Sequence, residues 1–331
     1  MAYILPIDGN WKILQQNSLL SNYQIFWDIE LGGGHLGRVL LGKCKHHSKY
    51  VAIKITTKCY AKYSEKEILL YIQQNKDKYT RNISYMNEIS EIDKKVTSLF
   101  PEIYNIFEDN YYIYIVMDLL YGGELYHLLT RVNQKLDEKL VALIFRQICE
   151  AVDYLHSIGV VHGDLKLENI MFGKQNRLDT VKLVDFGNSF IIKGRNLISE
   201  YNNTNIKSRS DNQIDSDSTS EFVYNKFIDF WCCGIILYIM LTGVYPDGLN
   251  IIDNCKDICF EHYVSNSKEL EDNSLLVKDL LIRLLSFIHC KDNTTMSQIL
   301  QHSWFSIADE ADIYNELVLP HSELIRNKIL P

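Results

Sequence analysis

The sequence predicts an α+β fold in which a β-rich N-terminal part gives way, near residue 120, to an α-helical C-terminal part. Residues 25–56 hold two apolar runs rich in β-branched residues, RVLLGKC and YVAIKIT, separated by the polar turn KHHSK. Tyr111–Met117 (YYIYIVM) repeats that strand character. From about Glu138 onward the apolar spacing changes to the 3.6-residue period of helices, in VALIFRQICEAVDYLHSIG, FWCCGIILYIMLTG and DLLIRLLSFI.

In chain order, the first two strands follow a glycine cluster and form a hairpin. The helix after Glu138 stops at Gly159, and the one containing Cys232 and Cys233 stops at Gly243, as C-terminal cap glycines do. Residues 75–98 are polar, yet Met86, Ile89, Ile92 and Val96 are spaced for a helical stripe. Residues 199–221 are rich in Ser, Asn and Asp, with Ile206 and Ile214 as their only aliphatic residues, and are expected to be mobile.

With 331 residues and 47% hydrophobic composition, the chain can bury a large core without disulfides or metals. Lys and Arg number 34 against 42 Asp and Glu, a net charge of −8. That balance disfavours a nucleic-acid partner, which needs a basic footprint. None of the eight cysteines forms a C-x-x-C pair, so they are expected to be buried, reduced thiols. MAYILPIDGNWK shows no basic-then-apolar signal pattern and begins Met-Ala rather than Met-Gly. The longest uncharged stretch, Phe230–Pro246, falls short of the ~20 residues of a membrane span. A cytoplasmic protein is expected.

Leu31–Val39 reads LGGGHLGRV, with Gly32, Gly34 and Gly37 in G-x-G-x-x-G spacing. A dinucleotide-binding turn would open a helix here, whereas a strand follows. A glycine hairpin can instead lay its backbone N–H groups over phosphates, because no side chain blocks the approach. Lys54 stands in VAIK on the next strand, where taken singly it is an ordinary edge-strand lysine. Val161–Asn169 reads VHGDLKLEN and Val181–Gly187 reads VKLVDFG, whose carboxylates taken singly could cap turns. All four signatures occur in one order, each on the element it needs. The chain thereby resembles the eukaryotic protein kinase family over residues 25–305.

The resemblance implies a bilobal fold, with a β-rich N-lobe at about 25–117 carrying one main helix. A hinge at 118–121 and a helical C-lobe at about 122–305 follow. Residues 1–24 are then an N-terminal extension and 306–331 a C-terminal tail. Gly32, Gly34 and Gly37 would cover the phosphates of ATP, with Lys54 holding the α- and β-phosphates. Leu31, Val39 and Ala52 would line the nucleotide pocket. Met117 would be the gatekeeper, with Asp118 and Leu120 in the hinge. Asp185 and Asn169 would bind Mg²⁺, Asp164 would accept the proton of a Ser/Thr hydroxyl, and Lys166 would steady the transferring group. GGELYHLL (Gly122–Leu129), IDFWCCGIILYIMLTGVYPDG (Ile228–Gly248) and LQHSWF (Leu300–Phe305) are similar to the calcium/calmodulin-dependent kinase group, with no calcium-binding loop of its own. In that group Glu124 and Glu168 would together hold a substrate arginine, and Glu124 alone could bind the ribose.

Three features depart from the family pattern. The glutamate that pairs with Lys54 is either Glu67, in apolar surroundings, or Glu88, at the more familiar distance from the next strand; Glu67 is preferred. Gly163 replaces the arginine that commonly grips a phosphorylated loop. The nearest match to the APE motif is Thr219–Glu221, and its usual arginine partner is Asn293. These departures keep open a second reading, a kinase-fold interaction scaffold without catalysis.

Overall fold

The computed structural model describes residues 14–34, 37–58, 65–84, 98–132, 135–192, 218–249, 258–286 and 294–311. They fall into two compact units, one holding the chain to Arg131 with Leu167–Asn188, the other Val132–Lys166 with Ser189–Ala311. The strand-rich and helix-rich parts of the expected bilobal kinase fold are both present.

The first unit is built on β1 (Leu14–Gln15), α1 (Gln16–Asn22), β2 (Tyr23–Gly34), β3 (Gly37–Cys44), β4 (Tyr50–Thr57), α2 (Glu65–Ser84), β5 (Ile103–Glu108) and β6 (Tyr112–Asp118). Its six-stranded sheet has the order β1-β5-β6-β4-β3-β2. The glycine cluster forms the predicted antiparallel hairpin, closing at Gly34 opposite Gly37. Gly37 has φ +149°, and a Cβ there would sit 2.2 Å from the Ile55 carbonyl oxygen. No larger residue fits that approach.

Strand periodicity sends alternate side chains of β4 to opposite faces of the sheet. Val51, Ile53 and Ile55 join Tyr23, Ile25, Leu40, Phe107, Tyr114 and Val116 in one apolar cluster. Ala52 and Lys54 fall on the other face. Residues 14–24, part of the extension expected from the sequence, are woven into this unit. β1 pairs in parallel with β5 and so covers a sheet edge. Leu19 of α1 is 1% exposed within that cluster. The turn after β3 clasps α1, since Lys45 Nζ donates to the Leu20 carbonyl at 2.7 Å. Leu19→Ala is therefore expected to destabilise the full chain by about 2–5 kcal/mol. Denaturant unfolding measures it, and a loss below about 0.5 kcal/mol would show that α1 is a dispensable appendage.

After β6 come β7 (Gly123–Glu124) and α3 (Leu125–Val132). β9 (Ile170–Phe172) and β10 (Val181–Leu183) complete a small sheet of order β10-β9-β7.

The second unit is mainly helical. α4 (Glu138–Ser157) is capped by Asp137, which accepts from Lys139 N at 2.9 Å, and it ends before Gly159 in left-handed backbone at φ +77°. β8 (Val160–Val161) pairs with β11 (Phe190–Ile191). α5 (Ser218–Thr242) stops at Gly243, as expected, and its buried stretch from Phe227 to Leu241 is core. α6 (Phe260–Asn266), α7 (Leu275–Leu285) and α8 (Met296–Leu300) follow. Glu138 ties this unit together by accepting from Ser274 N at 3.0 Å and from Trp304 Nε1 at 2.8 Å.

Two expectations need adjustment. The polar stretch from residue 75 begins as the second half of α2, while Met86, Ile89, Ile92 and Val96 lie outside the described residues. The tract 199–221 also lies outside them up to residue 217. Cys149 and Cys233 are buried free thiols as predicted, but Cys259 is exposed, because it only precedes α6 and has no core to enter. Among the described residues no helix is long and apolar enough to cross a membrane.

Candidate active site

The first unit assembles a charged cluster from three elements. Lys54, buried on β4, places Nζ 2.6 Å from Glu65 Oε1 and 2.7 Å from Asp185 Oδ1. Burial alone would lower the pKa of this ammonium, but the charges of Glu65 and Asp185 outweigh it and leave the pKa raised. Lys54 is therefore a fixed cation. Asp185 follows β10 in left-handed backbone at φ +62°, and its Oδ1 also accepts from Gly187 N at 3.3 Å. The next residue, Phe186, is buried against Phe100, and its N–H reaches Glu65 Oε1 at 3.3 Å.

The ion-pair partner is thus Glu65, not Glu67. Glu65 lies in the first turn of α2 on the same stripe as the buried Ile68, Leu69 and Ile72, at i+3, i+4 and i+7. Glu67 stands about 200° further round the helix and is exposed. Glu88 lies outside the described residues. The 3.6-residue stripe was visible in the sequence, and following it back one turn from Ile68 would have reached Glu65.

Beside this cluster, Leu31, Val39 and Met117 pack against the buried Ala52, Leu41 and Leu119. The register explains their meeting: Leu41 lies opposite Ala52, and Ala52 opposite Met117. Four residues expected around the nucleotide therefore share one apolar surface. Asp118 is engaged within the unit, accepting from Glu102 N at 2.8 Å and standing 3.6 Å from Lys182 Nζ. Leu120 is buried. Glu124 on β7 faces His127, and its carboxyl is held above the usual range by burial, with Glu168 reinforcing the rise and His127 opposing it.

Asn169 ends the short 3-10 turn Leu167–Asn169, and its carbonyl accepts from Val184 N at 3.0 Å, next to Asp185. Among the described residues no group of three or more His, Cys, Asp or Glu could hold a metal. Two oxygen-bearing side chains, Asp185 and Asn169, suit Mg²⁺, which takes few protein ligands and completes its shell with phosphate and water.

The second unit presents the loop with Asp164 and Lys166, whose carboxylate and ammonium lie 2.8 Å apart. This loop hangs on Asp229 of α5, which is fully buried. The Asp229 carboxylate accepts from His162 N and Gly163 N, both at 3.0 Å, and lies 2.8 Å from His156 Nε2. Burial would raise the carboxyl pKa of Asp229, yet these hydrogen bonds and the two imidazoles hold it below the usual range. Gly163 has φ +76°, a conformation that glycine adopts without strain. His156 and Ser189, whose Oγ donates to the His162 carbonyl at 2.8 Å, were not identified from the sequence. No local motif marks either one.

The protein kinase domain family matches residues 28–305. The chain belongs to the protein kinase family. Over 323 residues, this kinase domain is 29% identical to calcium-dependent protein kinase 4 of Plasmodium berghei, covering 94% of the chain and 54% of that protein. It is 26% identical to mouse MAP kinase-activated protein kinase 5, covering 96% and 67%, and 27% identical to human myosin light chain kinase 3, covering 91% and 34%. The chain spans about half the length of the first of these relatives. Their names agree with the calcium/calmodulin-dependent group expected from the kinase's GGELYHLL segment, and they lend no support to a scaffold without catalysis. Within the kinase domain, Thr219–Glu221 falls in the first turn of α5, and Asn293 lies outside the described residues.

Proposed function

We propose that this chain is an active serine/threonine protein kinase that moves the γ-phosphoryl group of ATP to a protein hydroxyl, preferring sites that contain basic residues. The observation that carries the reading is Lys54 held between Glu65 and Asp185, the ion pair an active kinase requires. Lys54 holds the α- and β-phosphates, the Gly32–Gly37 hairpin covers them, and Leu31, Val39, Ala52 and Met117 pack on the adenine. Asp185 and Asn169 would hold Mg²⁺, which neutralises charge building up on the phosphates. Asp164 orients the substrate hydroxyl and takes its proton, Lys166 offers a cation to the moving group, and Asp229 keeps their loop in shape. The substrate oxygen bonds to the γ-phosphorus, the bond to the β–γ bridging oxygen breaks, and that electron pair leaves on ADP. Protein substrates are the partners of this reading, with no nucleic acid, and its setting is cytoplasmic.

Basic sites follow from two carboxylates, Glu124 and Glu168, near enough to raise the Glu124 carboxyl together with burial. Converging carboxylates suit one guanidinium. The test is incubation with labelled ATP, Mg²⁺ and a mixed basic-protein substrate, followed by phosphoamino-acid analysis. Label on serine or threonine well above an Asp185→Asn control is the expected result. Label no greater than that control would overturn the activity. Peptides with arginine or alanine three residues before the acceptor test the preference, and equal kcat/KM for both would remove it.

A further inference from the structure

Resting on the basic-site reading above, we infer that His127 is a specificity-determining residue, which sets how much of the Glu124 carboxylate a substrate guanidinium can engage. His127 lies in the first turn of α3, three residues after Glu124. Its Nδ1 stands 3.2 Å from Glu124 Oε2. That nitrogen is shielded from water and makes no hydrogen bond of good geometry among the described residues, so it stands against Glu124 as a close packing contact. The ring is held in place: Tyr126 meets it edge-on at 5.6 Å between centroids, and Thr130 Oγ1 donates to the His127 carbonyl at 3.2 Å.

Glu124 itself is fixed by the sheet. β7 pairs with β9, with Glu124 opposite Met171, just beyond the turn that carries Glu168. The Glu124 carboxylate therefore meets the imidazole edge, with the Glu168 charge near Glu124 in the same unit. An arginine gains most when both oxygens of a carboxylate accept from its planar fork. His127 occupies the Oε2 side and leaves less of that carboxylate open to a second partner. The chain would then carry an attenuated arginine subsite, and the attenuation is tunable at a residue outside both carboxylates.

The test compares kcat/KM for arginine and alanine peptides at the upstream position, in wild type, His127→Leu and His127→Lys. The arginine-to-alanine ratio cancels any general loss of active enzyme. Removing the imidazole in His127→Leu should raise the ratio, and the permanent cation of His127→Lys should lower it. Each change should be roughly two- to five-fold, the worth of a partly exposed charge pair. The change should appear in KM for the peptide rather than in kcat. If all three proteins show the same ratio above one, His127 has no such role while the basic preference stands. If all three ratios equal one, both readings fall. An altered KM for ATP with an unchanged ratio would assign the Glu124–His127 pair to the nucleotide and overturn the inference.

Discussion

Replacing Lys54 with methionine is expected to lower phosphoryl transfer by at least about 10²- to 10³-fold, the scale seen when one preorganised charge-stabilising donor is removed. The loss should persist at saturating Mg-ATP, because the ammonium acts on charge and not only on affinity. Stability should fall as well, since Glu65 would be left buried opposite Asp185 without a cation. A buried carboxyl with no counter-charge has a raised pKa. Its folded form is then favoured while protonated, so the variant's deficit relative to wild type should be smallest at low pH and grow as pH rises. Lys54→Met combined with Glu65→Gln separates the two effects. The double variant should regain most of the stability and none of the turnover. Recovery of turnover would show that Lys54 matters only for packing, and the assignment of the phosphate site would be wrong.

Asp229→Ala should have the second largest effect. It removes the acceptor of two backbone N–H groups, at His162 and Gly163, and leaves His156 without its carboxylate. Each buried donor left without its acceptor in this way costs about 1–3 kcal/mol. Because the hydrogen bonds lost are those that shape the Asp164 loop, kcat should fall even at temperatures where the protein remains folded. The folded pKa of Asp229 is depressed, so its contribution is complete above the unfolded carboxylate value of about 3.9 and is lost as pH falls through the lower folded value. Wild type should therefore lose stability below about pH 4 more steeply than Asp229→Asn, measured by acid titration of intrinsic fluorescence. Identical acid profiles for the two proteins would remove Asp229 from the acid response. An Asp229→Ala protein with wild-type kcat would show that the loop keeps its shape without this anchor.

Much of the fold was legible in the sequence. The switch from β-branched runs to 3.6-residue spacing marked where strands give way to helices, and Gly159 and Gly243 marked two helix ends, because left-handed backbone selects glycine. The strand following Gly37 distinguishes a hairpin from a dinucleotide turn. Lys54 and Asp185 also stood in local patterns, VAIK and DFG, that can be recognised residue by residue.

The sequence by itself determined the family, the hairpin and the residue types able to handle phosphate and metal. These are properties of short segments, where chemistry and spacing are written side by side. Tertiary structure chose Glu65 among the glutamates as the partner of Lys54, and it alone decided that Leu19 closes the apolar cluster of the sheet. It also decided that His156 joins Asp229 beneath the Asp164 loop and that His127 presses on Glu124. The pairs Lys54–Asp185 and His156–Asp229 lie 131 and 73 residues apart. For such pairs the chain records no local trace of the contact. The partner is chosen by which faces the packed core turns toward each other, and the low-dielectric burial that gives these charges their strength exists only once the core has closed.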